Sequence, residues 1–383
     1  AAILWSWGGR HAVPAGAQAD QITDSSAYRP GDQIVHAFAF SGPALQKGLA
    51  ALDDRLFARQ LEKVVSGPPI FLTSLARGGT TALLNAMSDH PLIATHRYAD
   101  APFLTAPMMW SRLAGRRERI AERERAHGDG LKIGLQSPEA FDEVLWMLQW
   151  PEKYHDTGID LWSADDFRPK ASEFFANHFR KIACLRHPEI LEGETVPVRY
   201  LSKNNANIAR LDLLRMLFPG CRVIIALREP SAHAASLHRQ HLNFIQLHAR
   251  DAFSLRYMRD IGHFEFGALH RPIAFDPDFL ARYDPAQPDY WLAYWITAFE
   301  EVRHHTDELL IVDQADIRRA PTKTMEALQA RLDLPAPSGR NFDKYFVQKP
   351  DTPRDELFDP DQLRRARSIY GDLRVCSLGR THQ

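Results

Sequence analysis

A glycine-rich segment with basic and hydroxyl side chains is the part of the sequence best suited to chemistry. It reads Arg77-Gly78-Gly79-Thr80-Thr81 and lies between an apolar run and a helical run. Glycines let the backbone close tightly around a ligand, and the following helix supplies unpaired N–H groups and the positive end of its dipole. The hydroxyls and the guanidinium add further donors. The segment predicts a nest for a phosphate-like anion, and the alternative is a plain strand-to-helix turn.

This segment differs from the phosphate loop of ATP-dependent kinases. That motif, G-x-x-x-x-G-K-[ST], has a Lys directly before the hydroxyl residue that binds magnesium. Here Gly79 precedes Thr80, and the basic residue, Arg77, comes before the glycines. A kinase-like phosphotransferase that uses Mg-ATP is therefore disfavoured.

Four short apolar runs are predicted to be the strands that position these residues. They cover residues 70–75, 198–202, 222–227 and 309–312 and are separated by runs of helical periodicity. This alternation predicts an α/β fold, a P-loop-like parallel sheet flanked by helices on both faces. Residues that follow such strands should meet at one edge of the sheet, where α/β folds bind ligands.

Helical spacing and capping residues predict the remaining elements. Ser137-Pro138 reads as the start of a helix, with Ser as N-cap and Pro at the first position. The other predicted helices cover 44–65, 82–88, 112–127, 206–217, 231–247, 289–305, 321–331 and 360–373.

Length and composition bound the organisation of the chain. Its 383 residues suit one large α/β domain or two to three units of ~150 residues. We predict a partly helical N-terminal extension over 1–66, an α/β domain over 67–340 and a C-terminal tail with one helix over 341–383. Lys plus Arg is 47 and Asp plus Glu is 48, which argues against nucleic acid as a partner.

Cysteine content and hydropathy predict the compartment. Three cysteines in so long a chain do not make a disulfide framework, which favours a reducing, cytoplasmic location. The longest apolar runs are far shorter than the ~20 residues of a membrane-spanning helix, so no transmembrane segment is predicted. The sequence does not indicate the oligomeric state.

The segment from Phe71 to Pro91, FLTSLARGGTTALLNAMSDHP, resembles the 5′-phosphosulfate loop of sulfotransferases that use PAPS (3′-phosphoadenosine 5′-phosphosulfate). The resemblance covers residues 68–335 and is to the bacterial branch related to tyrosylprotein sulfotransferases. The usual form is P-[RK]-S-G-T-T followed by a helix and His-Pro. This sequence departs from it at Ala76, where Pro is usual, and at Gly78, where Ser is usual.

The resemblance extends to a second motif. In the family, an Arg at a strand end and a Ser eight residues later bind the 3′-phosphate of PAPS, and Arg228 and Ser236 match that pattern. An Arg offers a bidentate fork to phosphate, and a Ser hydroxyl is a compact donor. The alternative for Arg228 is a structural ion pair with Glu229 or another neighbour. The resemblance thus implies that Arg77, Gly78, Gly79, Thr80, Thr81, Arg228 and Ser236 bind PAPS.

The resemblance also implies catalytic roles. Arg77 occupies the family position of the cation that meets the charge developing on the leaving phosphate. Lys203, at the end of the predicted strand 198–202, is a second candidate cation, and the alternative is a solvated lysine at a strand end. The acceptor needs a base, which the family places shortly after His-Pro. Asp100 fits that position, and His96 is the rival because an imidazole ordinarily titrates nearer neutrality than a carboxylic acid. A third possibility is a base elsewhere, such as Glu139.

Metal binding is not predicted. His233, His238, His241 and His248 lie on one predicted helix, but no carboxylate or Cys stands at ligand spacing, so we interpret them as packing and surface residues.

The leading hypothesis is a PAPS-dependent sulfotransferase that transfers the sulfuryl group to a hydroxyl or amine without a metal. The acceptor could be a small molecule, a glycan, a lipid or a peptide. The alternatives are a kinase-like phosphotransferase and a catalytically degenerate nucleotide-binding module, which the departures at Gly78 and Asp100 motivate.

Overall fold

The computed structural model describes residues 30–114, 123–124, 132–190, 197–335, 339–348 and 350–378. Its strands, in chain order, are β1 Val65–Ser66, β2 Ile70–Thr73, β3 Ile93–Ala94, β4 Arg123–Glu124, β5 Lys132–Ile133, β6 Pro197–Lys203, β7 Arg222–Leu227 and β8 Leu309–Asp313. Its α-helices are α1 Pro30–Ala39, α2 Pro43–Leu56, α3 Ala58–Leu61, α4 Thr80–Ser88, α5 Pro107–Ala114, α6 Glu143–Gln149, α7 Pro169–Arg186, α8 Leu211–Leu217, α9 Pro230–Arg250, α10 Ala252–Asp260, α11 Pro277–Leu280, α12 Pro288–Arg303, α13 Gln314–Arg319, α14 Pro321–Arg331 and α15 Pro360–Val375.

The main sheet has six strands in parallel pairings. β2 lies between β6 and β7, and β8 is the outer neighbour of β7. The two-residue strands β1 and β3 each pair with β6. Leu72 pairs with Lys203, and Leu227 pairs with Asp313, so the carboxyl ends of these strands meet at one edge. The four strands predicted from the sequence are all present.

Helices cover both faces of the sheet, which confirms the predicted α/β class. Alternate residues of a strand point to opposite faces. In β7, Val223 and Ile225 belong to one apolar cluster, whereas Ile224 and Ala226 belong to another. The first cluster includes residues of α7, α9 and α12, and the second includes residues of α4 and α14. Burial on both faces explains why the strands are continuous apolar runs rather than alternating ones.

Helices α2 and α3, inside the predicted N-terminal extension, pack onto the α/β unit. Phe57 and Leu61 belong to the same apolar cluster as Val223. The buried Lys181 of α7 forms ion pairs with Asp54 at 2.7 Å and with Asp53 at 3.5 Å. Residues 43–61 therefore share their core with the α/β unit.

Two helix predictions are wrong in part, since the helix expected from Ser137 begins only at Glu143, as α6, and the helix expected over 112–127 is present at 112–114 as the end of α5. Ser137-Pro138 does not begin a helix: Ser137 Oγ accepts a hydrogen bond from the Gly134 N–H, and Pro138 bridges Arg97 in antiparallel fashion. Inside the helix predicted over 112–127, residues 123–124 form β4, which pairs with β5. Residues 115–122 and 125–127 of that prediction lie outside the described part of the chain. In both cases pairing with another extended segment overrides the local helical signal, across 41 residues for Pro138 and within ten residues for β4.

Two expectations from the sequence concern disulfide bonds and membrane-spanning helices. Cys184, Cys221 and Cys376 are all free thiols. Among the helices of the described residues, none has both the length and the apolar composition needed to cross a membrane.

Candidate active site

The glycine-rich turn connects β2 to α4 through two left-handed backbone conformations. Arg77 has φ 66° and Gly79 has φ 93°. A positive φ is uncommon for a residue with a Cβ and costs about 1–3 kcal/mol, so its presence at Arg77 marks a constrained loop. Gly79 is the N-cap of α4, and the first N–H groups of that helix have no helical partner.

Gly78 is required by a close approach inside this turn. A Cβ at this position would lie 2.5 Å from Ser74 Oγ and 3.0 Å from the carbonyl oxygen of Leu75. The Ser74 hydroxyl fills this space because it donates a hydrogen bond of 2.7 Å to the Ala226 carbonyl of β7. The Ser74 side chain thus occupies the space that a side chain at position 78 would need.

The two predicted phosphate motifs come together at the carboxyl edge of the sheet. Arg228 follows β7, and its Nη1 donates a hydrogen bond of 2.8 Å to the carbonyl oxygen of Arg77. Ser236 is buried in α9, and its Oγ accepts a hydrogen bond of 3.4 Å from Arg77 Nε. Both residues of the second motif therefore contact Arg77 in the glycine-rich turn.

A cavity of about 270 Å³ lies over the turn. Five of the seven residues predicted to bind PAPS line it: Arg77, Gly79, Thr80, Thr81 and Arg228. Lys203, from the end of β6, lines it as well. Glu139, Asn205 and His263 also line it, as do Gln314 and Arg318 after β8 and the tail residues Tyr345, Phe346 and Val347. Cationic side chains, helix N–H groups and a carboxylate thus share one cavity.

A sequence profile described as the sulfotransferase family matches residues 68–338. The chain belongs to the sulfotransferase family. The match spans the glycine-rich turn, the second motif and five of the six strands of the main sheet, all except β1, and it confirms the resemblance to sulfotransferases seen in the sequence.

Several solved structures are similar to this sulfotransferase, at low identity. Sulfotransferase STF1 from Mycobacterium tuberculosis H37Rv has 14% identity and a TM-score of 0.39, covering 91% of this chain and 86% of that one. Sulfotransferase STF9 from Mycobacterium avium has 11% identity and a TM-score of 0.43, covering 90% of this chain and 77% of that one. A sulfotransferase from Alicyclobacillus acidocaldarius has 12% identity and a TM-score of 0.37, covering 81% and 94%. A search among curated proteins found no match.

The predicted bases Asp100 and His96 lie together in a buried ion cluster. Asp100 pairs with the Arg186 guanidinium and accepts hydrogen bonds from His96 Nδ1 at 3.1 Å and from the Arg97 N–H at 2.8 Å. Burial opposes ionisation, but Arg186 and His96 hold the pKa of Asp100 well below its usual value. The other nitrogen of His96 lies 2.8 Å from His178 Nε2. Neither predicted base belongs to the lining of the cavity over the turn.

Glu139 and His263 line the cavity instead. Tyr98 Oη and the Ala140 N–H donate hydrogen bonds to the two carboxylate oxygens of Glu139. His263 Nδ1 forms an ion pair of 2.8 Å with Glu265. Burial lowers the pKa of His263, but the Glu265 carboxylate more than offsets this, so the pKa is raised above its usual value. Sequence reasoning raised Glu139 only as an alternative and missed His263, because neither stands beside a recognisable motif.

The histidines of α9 hold backbone groups in place. His233 Nε2 donates a hydrogen bond of 2.8 Å to the Ala76 carbonyl in the glycine-rich turn. His238 bonds the Ala286 carbonyl, and His241 and His248 accept hydrogen bonds from the N–H groups of 267 and 268. Within the described residues, no group of three or more His, Cys, Asp and Glu side chains is arranged to hold a metal.

Proposed function

We propose that this sulfotransferase transfers the sulfuryl group of PAPS to a hydroxyl or amine of an acceptor molecule. The observation that carries the proposal is the contact between the two phosphate motifs, in which Arg228 Nη1 bonds the carbonyl of Arg77 at 2.8 Å. PAPS carries a phosphate on the 3′-oxygen and a phosphosulfate on the 5′-oxygen of its ribose. A protein that binds it therefore needs two anion sites that are close but distinct. The glycine-rich turn would hold the 5′-phosphosulfate, and the end of β7 would hold the 3′-phosphate.

Charge stabilisation is assigned to Arg77 and Lys203. In the transfer, the bond between sulfur and the bridging phosphate oxygen breaks as sulfur bonds to the acceptor oxygen. Negative charge develops on the leaving phosphate, and two fixed cations beside it lower the barrier without a metal. Arg77 stays protonated, so it acts through its charge and its donors rather than as an acid.

Proton removal from the acceptor is assigned to Glu139. Its carboxylate lines the same cavity as Arg77 and Lys203. Asp100 is a weaker candidate because Arg186 already occupies its carboxylate and lowers its pKa. His96 is also disfavoured, since both of its ring nitrogens are engaged inside the buried cluster. Asp100 and His96 accordingly stay predictions that the variants described in the Discussion test.

A small group of the acceptor, not the whole molecule, is assigned to a second cavity that adjoins the first. The two cavities share Ala76, Asn205 and Phe266, and the second has a volume of about 40 Å³. Its lining is mainly apolar, with Ile159, Leu237, Phe264, Ile273 and Trp291. Asn205 Nδ2 donates to Glu265 at 2.9 Å, while its buried Oδ1 has no hydrogen-bond partner within the described residues. This oxygen can accept a hydrogen bond from an acceptor hydroxyl, and the lining favours a small molecule with an apolar end over a glycan.

Titration calorimetry with the desulfonated product, PAP, tests the donor assignment. We expect PAP to bind without added metal and in the presence of EDTA, and ATP with magnesium to bind more weakly. Tighter binding of Mg-ATP would favour the kinase-like alternative, and no binding of PAP at millimolar concentration would refute the proposal. Release of PAP from PAPS upon addition of small apolar alcohols would exclude the degenerate module.

A further inference from the structure

A carboxylate from the C-terminal tail occupies the predicted 3′-phosphate site. Asp351 accepts hydrogen bonds from Arg228 Nε at 3.0 Å and from Arg228 Nη2 at 2.8 Å. Its Oδ1 also lies 2.8 Å from Arg318 Nη1 of α13. The three side chains are 16–20% exposed, so the cluster is largely withdrawn from solvent. One carboxylate therefore bridges two guanidinium groups that come from different elements.

The charge of this cluster suits a phosphate better than a carboxylate. Asp351 presents one negative charge and two acceptor oxygens to the two guanidinium groups, whereas a phosphate monoester would present nearly two negative charges and three acceptor oxygens. Glu229, the next residue along the chain from Arg228, caps α9 with its carboxylate. It accepts hydrogen bonds from the Ala232 N–H at 2.7 Å and from the Ser231 hydroxyl at 3.0 Å.

The cluster also divides two cavities. Arg228 lines the cavity of about 270 Å³ over the turn, and Asp351 lines a neighbouring cavity of about 520 Å³, while Arg318 lines both. Pockets that hold a ligand the size of a nucleotide ordinarily measure about 300–1,000 Å³. The cavity over the turn is therefore small for a whole nucleotide. Movement of Asp351 would join the two spaces.

We propose that Arg228 and Arg318 together bind the 3′-phosphate of the donor, and that Asp351 occupies this site until the donor displaces it. This inference rests on the proposed function. It adds Arg318 to the donor-binding residues and gives the tail a gating role. The competing explanation is that Asp351 permanently holds Arg228 in position, and the two explanations predict opposite effects of removing the carboxylate.

The test compares PAP with AMP, which lacks the 3′-phosphate, by titration calorimetry. We expect Asp351→Asn to bind PAP about tenfold more tightly and Arg318→Gln to bind it about tenfold more weakly. Neither variant should change the affinity for AMP, and the matched control Asp355→Asn, which breaks the exposed tail pair with Arg367, should leave both affinities unchanged. Weaker PAP binding by Asp351→Asn, or equal changes for PAP and AMP, would overturn the inference. Failure of the wild-type protein to bind PAP would overturn the proposed function as well.

A second measurement uses the wild-type protein and does not depend on the folding of a variant. Hydrogen exchange of the tail over residues 350–358 should speed up when PAP binds, because Asp351 is released, and should not change with AMP. Slower exchange of this segment with PAP would show that the donor leaves the ion cluster closed, and would overturn the gating role.

Discussion

His233 Nε2 donates a hydrogen bond of 2.8 Å to the carbonyl oxygen of Ala76, directly before the left-handed residue Arg77. This bond fixes the glycine-rich turn to α9, the helix that also carries Ser236. Burial, followed by the Arg228 charge, lowers the pKa of His233 to about 3, so the imidazole is neutral and its N–H is available at physiological pH.

The first prediction concerns the hydrogen bond between His233 and the Ala76 carbonyl. His233→Ala leaves the Ala76 carbonyl without its donor, which should destabilise the fold by about 1–3 kcal/mol and weaken PAP binding. His238→Ala is the matched control, since His238 lies on the same helix but bonds the distant Ala286 carbonyl. Urea unfolding and calorimetry measure both effects, and equal behaviour of the two variants would contradict the anchoring role.

The second prediction is that the usual family residue does not fit at position 78. Gly78→Ser should reduce stability and PAP affinity because its Cβ collides with Ser74 Oγ. Adding Ser74→Gly removes that contact, so the double variant should recover part of the loss. A Gly78→Ser protein as stable as wild type would show that the close approach does not require glycine.

The third prediction separates the candidate bases. Glu139→Gln should lower kcat by at least about 100-fold with little change in thermal stability, as expected for loss of a general base. Asp100→Asn should instead destabilise the fold by about 3–5 kcal/mol, because it leaves the Arg186 charge buried without its partner. If Asp100→Asn folded normally and lost its activity while Glu139→Gln kept it, the base would be Asp100.

The fourth prediction distinguishes the two arginines of the donor site. Arg77→Ala should lower kcat by about 100- to 1,000-fold, since it removes charge stabilisation at the leaving phosphate. Arg228→Ala should mainly weaken PAP binding, by about 10- to 100-fold, because its donors face the 3′-phosphate site. Steady-state kinetics with PAPS separate KM from kcat, and unchanged donor affinity in Arg228→Ala would count against its assignment.

The fifth prediction is a pH dependence of stability. The pKa of His233 falls from 6.5 in the unfolded chain to about 3 in the folded protein, so between these values the unfolded state binds more protons. The contribution of neutral His233 to the free energy of unfolding is complete above pH 6.5. It is lost as the pH falls towards 3, by up to about 1.4 kcal/mol per pH unit. His241 and His270, each lowered to about 4, act in the same direction. Urea unfolding between pH 4 and 7 measures the free energy of unfolding at each pH. This free energy should fall less steeply with decreasing pH in His233→Gln than in wild type.

The sequence alone determined the strands, the glycine-rich turn and the edge at which Arg77, Lys203 and Arg228 meet. These features are local, because strand periodicity, glycine placement and the order of elements are set by neighbouring residues. Parallel strand pairing then brings their carboxyl ends together whatever the other contacts are. The family assignment follows from the same motifs.

The contacts that other residues make with the predicted site residues became visible only in the folded chain. Asp351 meets Arg228 across 123 residues, and His233 meets Ala76 across 157. Such contacts depend on how helices and the tail pack on the sheet, which no local pattern encodes. Asp100 shows the same effect, since its position after His-Pro suggested a base, whereas Arg186, 86 residues away, holds its carboxylate in a buried ion pair.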